Sequence, residues 1–459
     1  LAGIVIQKTL FLSRVVLETG MHIEEAIILL SREGQTRILG LSLLERLILY
    51  GRKAGLRKFL LYSEEEKQAR RTLEKLLSDR RFSPGNMDLA ICTPEKTRQL
   101  AAETNGSSRV LVLQDSLVVH PDFFSSVQID GQKRENDLIL LTRNGSSADD
   151  QEVCPGVFLV NRNRLGDLLP QLSGFRGAAP GWPEKIKGSF SVGLAGVDCP
   201  FFLRVDSLEA ARRAEAELLE TGRKQVDGYI TRVFFRPISL RLTRHLINLG
   251  LTPNQISLVV LAVELLSVYL IFQGRYKFMA PGAFLFFLSS IIDCCDGENA
   301  RLTCRISRFG TIFDVSADAF LYVTFFTVLP LGLYRATSNT AWLYVGAFGL
   351  LSMIGFYLQM VFYARKAGIG FNIVPIAREI ESSIQQPDFQ TRADRLAARI
   401  AFIYRRDFFT TLAFILIVLG GASLLAVMVS GFAFLEAVYF GSWSRRQLRK
   451  KSLNGLQPA

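Results

Sequence analysis

The sequence predicts two folds in one chain: an N-terminal α/β domain with a largely parallel sheet, then an all-α membrane domain of six helices. Three observations carry this. Short apolar runs alternate with amphipathic segments up to about residue 225. Nearly all the long apolar segments fall after residue 254. A basic, amphipathic stretch over 226–254 separates the two.

In the N-terminal part, AIILL (Ala26–Leu30) reads as a strand and LGLSLLERLILYGRKAGL as a helix stopping near Gly55. KFLLYS is a strand, followed by a charged helix from Glu64 towards Arg80. MDLAICT, RVLVLQ, LILLTR and GVFLV are further strands. The opening LAGIVIQKTLFLSRVVLETG lacks the unbroken apolar length of a span and a clear cleavage site, so it is expected to be cytoplasmic. An alternative codon at Leu1, or Met21, offers a start.

The junction, DGYITRVFFRPISLRLTRHLINLGLTPNQ, interleaves Arg232, Arg236, Arg241 and Arg244 with apolar residues. That pattern suits a helix in the lipid headgroup layer, or a solvated linker helix, with Pro237 near its start or at a kink. Thr252-Pro253 reads as a helix start. Six spans follow, near 255–273, 279–298, 309–333, 341–363, 407–419 and 422–442, the fifth being short. Gly420-Gly421 reads as the turn of a hairpin between the last two.

Lys and Arg gather in the junction, in the long loop 364–406 and in the tail SRRQLRKK. That places both termini and these loops in the cytoplasm, with GRYK, RATSNT and Gly-Gly on the far side. The net charge of +12 suits an anionic membrane surface, and the apolar runs favour that over nucleic acid. Six cysteines show no metal-ligand spacing, and three scattered histidines offer no metal site.

Chemistry concentrates in DCCDGENARLTCRISRFGTIFDVSAD, from Asp293 to Asp318. Its four aspartates, Asp293, Asp296, Asp314 and Asp318, lie between apolar runs, where a carboxylate costs about 2.5–3.5 kcal/mol at mid-bilayer. A divalent cation is the simplest compensation. Asp293 and Asp296 are i, i+3, and Asp314 and Asp318 are i, i+4, so each pair shares a helix face. An all-oxygen set suits Mg²⁺ or Mn²⁺. Gly297, Ala300 and Gly310 permit close approach of a helix or ligand, and Arg301 can hold a phosphate oxygen. The competing reading is an inter-helix polar cluster without chemistry.

The stretch resembles the signature of the CDP-alcohol phosphotransferase family, Asp-x2-Asp-Gly-x2-Ala-Arg-x8-Gly-x3-Asp-x3-Asp, at every fixed position. The resemblance implies transfer of a phosphate-linked group from a CDP-alcohol donor to an acceptor alcohol, releasing CMP, by a multi-pass homodimer in the cell (inner) membrane. By that resemblance Asp293, Asp296, Asp314 and Asp318 hold metal, and Asp318 is also the general base. Pro253, Asn254, Gln255, Ile256, Gly297, Ala300, Arg301, Ser307 and Gly310 border the CDP moiety. Relatives using inositol phosphate have a basic pocket near the loop ends. Arg365, Lys366, Arg405 and Arg406 therefore become candidates for an anionic acceptor, although the positive-inside bias alone explains cations there. A non-catalytic membrane scaffold or regulator retaining the site is the alternative from another class.

The N-terminal domain resembles a Rossmann-like nucleotidyltransferase of the sugar-nucleotide pyrophosphorylase type. VLVLQDSLVV is similar to the strand ending in a metal-binding Asp, here Asp115, and FLRVDSLEAARRAEAELL to the segment with a second, Asp206. The loop SREGQTRILG keeps only Gly34 and Gly40 of a glycine-rich phosphate cradle and lacks its Pro-Lys pair. Arg32 and Arg37 bring charge without the turn geometry. This departure from the pattern points to a degenerate domain that makes no CDP-alcohol, with Asp115 and Asp206 serving as turn and helix-cap residues rather than as metal ligands.

Overall fold

The computed structural model describes residues 25–63, 65–82, 87–102, 109–126, 136–143, 152–173, 190–197, 199–224, 227–306, 308–367 and 405–454. Among them, contacts divide the chain into two units. One comprises residues 25–221 with Leu302–Cys304, and the other begins at Gly222. The basic junction therefore groups with the helices that follow it. The opening residues and most of the long loop lie outside the described residues.

The N-terminal unit is built on a seven-stranded sheet. In chain order its strands are β1 (Glu25–Leu29), β4 (Lys58–Tyr62), β5 (Asp88–Cys92), β6 (Arg109–Gln114), β8 (Leu138–Arg143), β9 (Glu152–Asn161) and β10 (Val192–Val197). Two short ladders stand beside it: β2 (Arg37–Ile38) with β3 (Leu41–Ser42), and β7 (Leu117–Val119) with β11 (Phe202–Arg204). The spatial order is β10-β8-β9-β6-β1-β4-β5. Every pair is parallel except those made by β9, which runs antiparallel to both β6 and β8.

The two-residue period of a strand explains why the central strands read as unbroken apolar runs. Ala26, Ile28, Phe59, Leu61, Leu111 and Leu113 enter one core, and Ile27, Leu29, Leu60, Tyr62, Val110 and Val112 enter a second on the other face. Helices α1 (Leu43–Lys53), α2 (Glu66–Leu77), α3 (Pro94–Ala102), α4 (Phe123–Ser126) and α5 (Leu165–Ser173) lie between strands, and α6 (Leu208–Thr221) follows the last of them. Helix α1 starts where a capping box forms: Glu45 N–H donates to Ser42 Oγ at 3.2 Å, and Ser42 N–H to the Glu45 carboxylate at 2.9 Å. The alternation of the sequence anticipated this architecture. It missed β10, whose two glycines dilute its apolar pattern, and the two-stranded ladders.

The second unit is helical. A π-turn over Thr231–Phe235 runs without a break into α7 (Arg236–Asn248), and Pro237, which offers no backbone N–H, follows directly on that wider turn. Then come α8 (Pro253–Phe272), α9 (Tyr276–Leu302), α10 (Arg308–Thr337), α11 (Ala341–Lys366), α12 (Arg406–Val418) and α13 (Ala422–Asn454). Helix α8 begins with a capping box between Thr252 and Gln255, and Pro253 sits at its first position.

Among the described residues, four helices, α8, α9, α11 and α13, are long and apolar enough to cross a membrane by length and composition. The expectation was six spans. Helix α12 has 13 residues, about 20 Å of rise, which is less than a span needs.

The core of this unit draws Ile271, Phe286, Phe325, Leu329, Ala413 and Leu425 from five helices. Phe286 stacks on Phe325 at 4.8 Å, and Phe409 meets both edge-on. The α8–α9 turn presses against α10: Gly274 has φ +73°, and a Cβ there would lie 2.0 Å from the Gly332 carbonyl oxygen. Only glycine fits both the backbone and the space.

One expectation for the junction is corrected. Arg232, Arg241 and Arg244 are exposed, as a surface helix requires, but Arg236 is 3% exposed and points into the unit. Arginines interleaved with apolar residues every three to five positions read as a solvated face; here a buried acidic partner on each side turns one of the four inward.

Candidate active site

Helix α9 positions most of the signature. Asp293 is half-buried, and Arg406, at the start of α12, places Nη1 3.1 Å from its Oδ2. Arg406 Nη2 donates to Glu264 of α8 at 2.5 Å, and Ser289 Oγ donates to the same carboxylate at 3.2 Å. Asp296 is buried and accepts a hydrogen bond from Ser257 Oγ of α8 at 2.7 Å. The two aspartates are thus held from two neighbouring helices, one by a cation and one by a hydroxyl. Glu264 is 2% exposed and is the only charged residue of α8.

The next turn of α9 is fixed by backbone groups. Asn299 Nδ2 donates to the Leu251 carbonyl at 2.8 Å, tying α9 to the turn that opens α8. Arg301 donates from Nη2 to the Gly222 carbonyl at 2.6 Å and from Nε at 3.2 Å. A Cβ on Gly297 would lie 3.3 Å from Arg301 Nη1, so glycine keeps that side of the helix open beside the guanidinium.

Glu298, between these residues, is fully buried. It accepts from Ser239 Oγ at 2.6 Å, from Thr243 Oγ1 at 2.5 Å and from Arg236 Nη1. Arg236 turns its other edge to Asp227, with Nε and Nη2 at 2.6 and 3.0 Å from the two carboxylate oxygens. Burial pushes the Asp227 carboxyl up, but the Arg236 hydrogen bonds and charge outweigh it and hold it below the ordinary range. The same contacts raise Arg236.

Of the residues expected to border a nucleotide, Pro253 and Ile256 are buried, Asn254 is exposed, and the Gln255 side chain is spent on the cap of α8. Asp314 and Asp318 stand one turn apart in the N-terminal half of α10, but their side chains lie outside the described residues, as does Ser307. Gly310 also lies in this first part of α10. Arg365 and Lys366 close α11, and Arg405 immediately precedes α12. Arg406 is engaged by Asp293 and Glu264. Among the described residues no three His, Cys, Asp or Glu side chains gather into a metal-binding group. Asp293 and Asp296 contribute the oxygen donors that a hard divalent cation takes.

Sequence reasoning missed Glu264, Glu298, Ser257 and Asp227. For Glu264 the signal was present: a lone carboxylate within an apolar run.

In the N-terminal unit, Asp115 immediately follows β6 and is 1% exposed. It accepts from Ser31 N–H at 2.8 Å and from Ser31 Oγ at 2.5 Å, and burial pushes its carboxyl up to about 7 although these bonds oppose it. Gly34 lies against it; a Cβ there would fall 2.0 Å from Asp115 Oδ2. Asp115 therefore anchors the 31–35 loop. Asp206 is exposed, and Ser207, not Asp206, supplies the oxygen that Ala210 N–H meets at the start of α6. Arg32 and Arg37 are exposed.

Among solved structures, the N-terminal region resembles the inositol-1-phosphate CTP transferase from T. maritima, with a TM-score of 0.31 and 15% identity over 42% of this chain and 94% of that one. It also resembles HddC from Yersinia pseudotuberculosis, with a TM-score of 0.29 and 14% identity over 42% and 99%. Three curated relatives are each described as a bifunctional IPC transferase and DIPP synthase. The protein from Aquifex aeolicus is 29% identical over 32% of this chain and 34% of its own length. That from Archaeoglobus fulgidus is 35% identical over 32% and 29%. That from Rubrobacter xylanophilus is 27% identical over 56% and 58%. The chain thus spans less than two thirds of the length of each. Residues 250–404 match the family model of CDP-alcohol phosphatidyltransferase, a range that contains the whole signature from Asp293 to Asp318. The C-terminal half of this chain therefore carries a CDP-alcohol phosphatidyltransferase domain.

Proposed function

We propose that the chain is an integral membrane, metal-dependent CDP-alcohol phosphotransferase, acting in phospholipid or inositol-phosphate biosynthesis. It transfers a substituted phosphate from a CDP-alcohol to an acceptor alcohol and releases CMP. The observation that carries this reading is the complete signature within the matched domain, with Asp293 and Asp296 ordered on one helix by Arg406 and Ser257.

In this reading Asp293, Asp296, Asp314 and Asp318 hold the cation, Mg²⁺ or Mn²⁺. When bound, it offsets the charge building on the departing CMP and favours in-line attack. Asp318 takes the proton from the attacking hydroxyl oxygen of the acceptor. Gly297 leaves room for the nucleotide, whose phosphate Arg301 contacts. The N-terminus of α8, from Pro253 to Ile256, borders the cytidine. Arg365, Lys366 and Arg405 supply positive charge for an anionic acceptor such as an inositol phosphate, and Arg406 links that charge to Asp293.

Two donors fit: soluble CDP-inositol and CDP-diacylglycerol. The bifunctional relatives favour the first. Against that donor, the 31–35 loop of the N-terminal unit keeps no glycine-rich phosphate cradle and leaves no room for a Cβ at Gly34 beside Asp115, and a degenerate unit would not make CDP-inositol. The enzyme is a homodimer of the inner membrane, with its active site facing the cytoplasm.

The test is CMP release by membranes expressing the chain, given each donor with inositol phosphate and Mg²⁺. The expected result is metal-dependent CMP release with one donor, with the joined product seen by mass spectrometry. Asp318→Asn should lower turnover by at least about a hundredfold while CDP still binds. Absence of CMP release with every donor, from protein that is folded and inserted, refutes the proposal.

A further inference from the structure

Glu298 occupies one of the variable positions of the signature, between Gly297 and Ala300, yet its carboxylate is fully buried and accepts three side-chain hydrogen bonds. Three donors from one face of α7 converge on it: Arg236, Ser239 and Thr243, at i, i+3 and i+7. Arg236 is itself fixed by two bonds to Asp227.

Resting on the function proposed above, we infer that Glu298 is a positioning residue. Clamped by Arg236, Ser239 and Thr243, it sets the rotation of the signature segment about the axis of α9, and with it the placement of Asp293 and Asp296.

Helix geometry supports this. At about 100° per residue, Glu298 lies about 200° round the helix from Asp296 and about 140° from Asp293. The clamp therefore grips the side of α9 away from both aspartates. Ser257 and Arg406 hold the aspartates themselves, through the two groups that a cation would compete for. A rotation of about 20° at the 5–6 Å radius of the side chains moves a carboxylate oxygen by about 2 Å. Metal–oxygen distances tolerate only about 0.2 Å. A grip that survives cation binding must come from elsewhere on the helix, and Glu298 supplies it.

Stability alone does not account for the arrangement. Buried ion pairs stabilise little compared with apolar side chains of the same volume, and their best-attested use is to fix one register against others. Five residues drawn from two helices and the segment before them would be an expensive way to fill a core.

The experiment uses the full chain in detergent or nanodiscs, as wild type, Glu298→Gln, Glu298→Asp, Ser239→Ala and Thr243→Val. Two readouts are taken: Mn²⁺ binding by electron paramagnetic resonance, and CMP release against Mg²⁺ concentration. In Glu298→Gln the Mn²⁺ dissociation constant and the half-saturating Mg²⁺ should both rise about 10–100-fold, with kcat falling and donor KM changing less. Glu298→Asp, which keeps the charge on a shorter stem, should recover part of that loss. Ser239→Ala and Thr243→Val should each raise the metal constant several-fold.

A folded Glu298→Gln protein with wild-type metal affinity and kcat overturns the inference. If that variant does not fold, Ser239→Ala and Thr243→Val decide, because both leave the charge pair intact; unchanged metal binding in both overturns it. A wild type that binds Mn²⁺ but releases no CMP refutes the transferase reading, while the Mn²⁺ constants still judge the clamp. A wild type that does neither removes both.

Discussion

Ser257 meets Asp296 through a single hydroxyl, and that contact has a measurable size. A hydrogen bond to a charged group contributes about 1.5–3 kcal/mol. Ser257→Ala removes a donor that a cation would displace from Asp296, so it should lower the half-saturating Mg²⁺ for CMP release about tenfold, without lowering the thermal midpoint by more than a few degrees. Asp115 supports a second prediction at this scale. Its folded pKa, about 7, lies above the ordinary value of 3.8. Between these values the folded state binds a proton that the unfolded state does not. The contribution is thus full below pH 3.8 and is lost as the pH rises through 7. The unfolding transition of the N-terminal unit should fall in temperature between pH 5 and pH 8, and Asp115→Asn should flatten that fall. An unchanged slope in the variant would show that other groups cause it.

Helix starts and stops follow local chemistry, and here the sequence was most legible. Ser42 with Glu45, and Thr252 with Gln255, are capping boxes readable as four-residue words. Thr252→Ala should cost about 1 kcal/mol by loss of the cap. It should also raise the donor KM, because the N-terminus of α8 borders the proposed cytidine site. Gly274 gives a stronger effect. Any side chain there meets the Gly332 carbonyl and a positive φ, so Gly274→Val should prevent α8 and α9 from docking on α10 and abolish stable expression. Fluorescence-detected size exclusion of a tagged chain would read this directly. Spacing also placed Asp293 and Asp296 on one face of a helix, and α9 is helical through both. What spacing did not reveal is who pairs with whom. Arg236 finds Glu298 at a separation of 62 residues and Arg406 finds Glu264 at 142. Such partners are chosen by packing, so Arg236 read as one more surface cation until the fold placed a carboxylate against each edge of it.

At the scale of the whole molecule, composition divided the chain correctly into a part that buries a sheet and a part rich in lipid-compatible helices. The largely parallel sheet was legible because its central strands are apolar on both faces. Strand β9 was found as a strand, but its reversed direction was not, since a strand's direction leaves no mark on its own residues. Removal of divalent metal is the corresponding global prediction. EDTA should abolish CMP release, and Mg²⁺ or Mn²⁺ should restore it, whereas the fold of the N-terminal unit, followed by circular dichroism, should not change.

The short reach of α12 has a further consequence. Its rise of about 20 Å covers only two thirds of a typical 30 Å hydrocarbon layer. Its first residue is Arg406, so either this guanidinium sits below the level of the headgroups or the surrounding lipid thins to meet it. Catalysis should then respond to acyl-chain length: reconstituted into bilayers of 14-carbon chains, the protein should turn over faster than in bilayers of 22-carbon chains, where the mismatch would strain the Arg406–Asp293 contact.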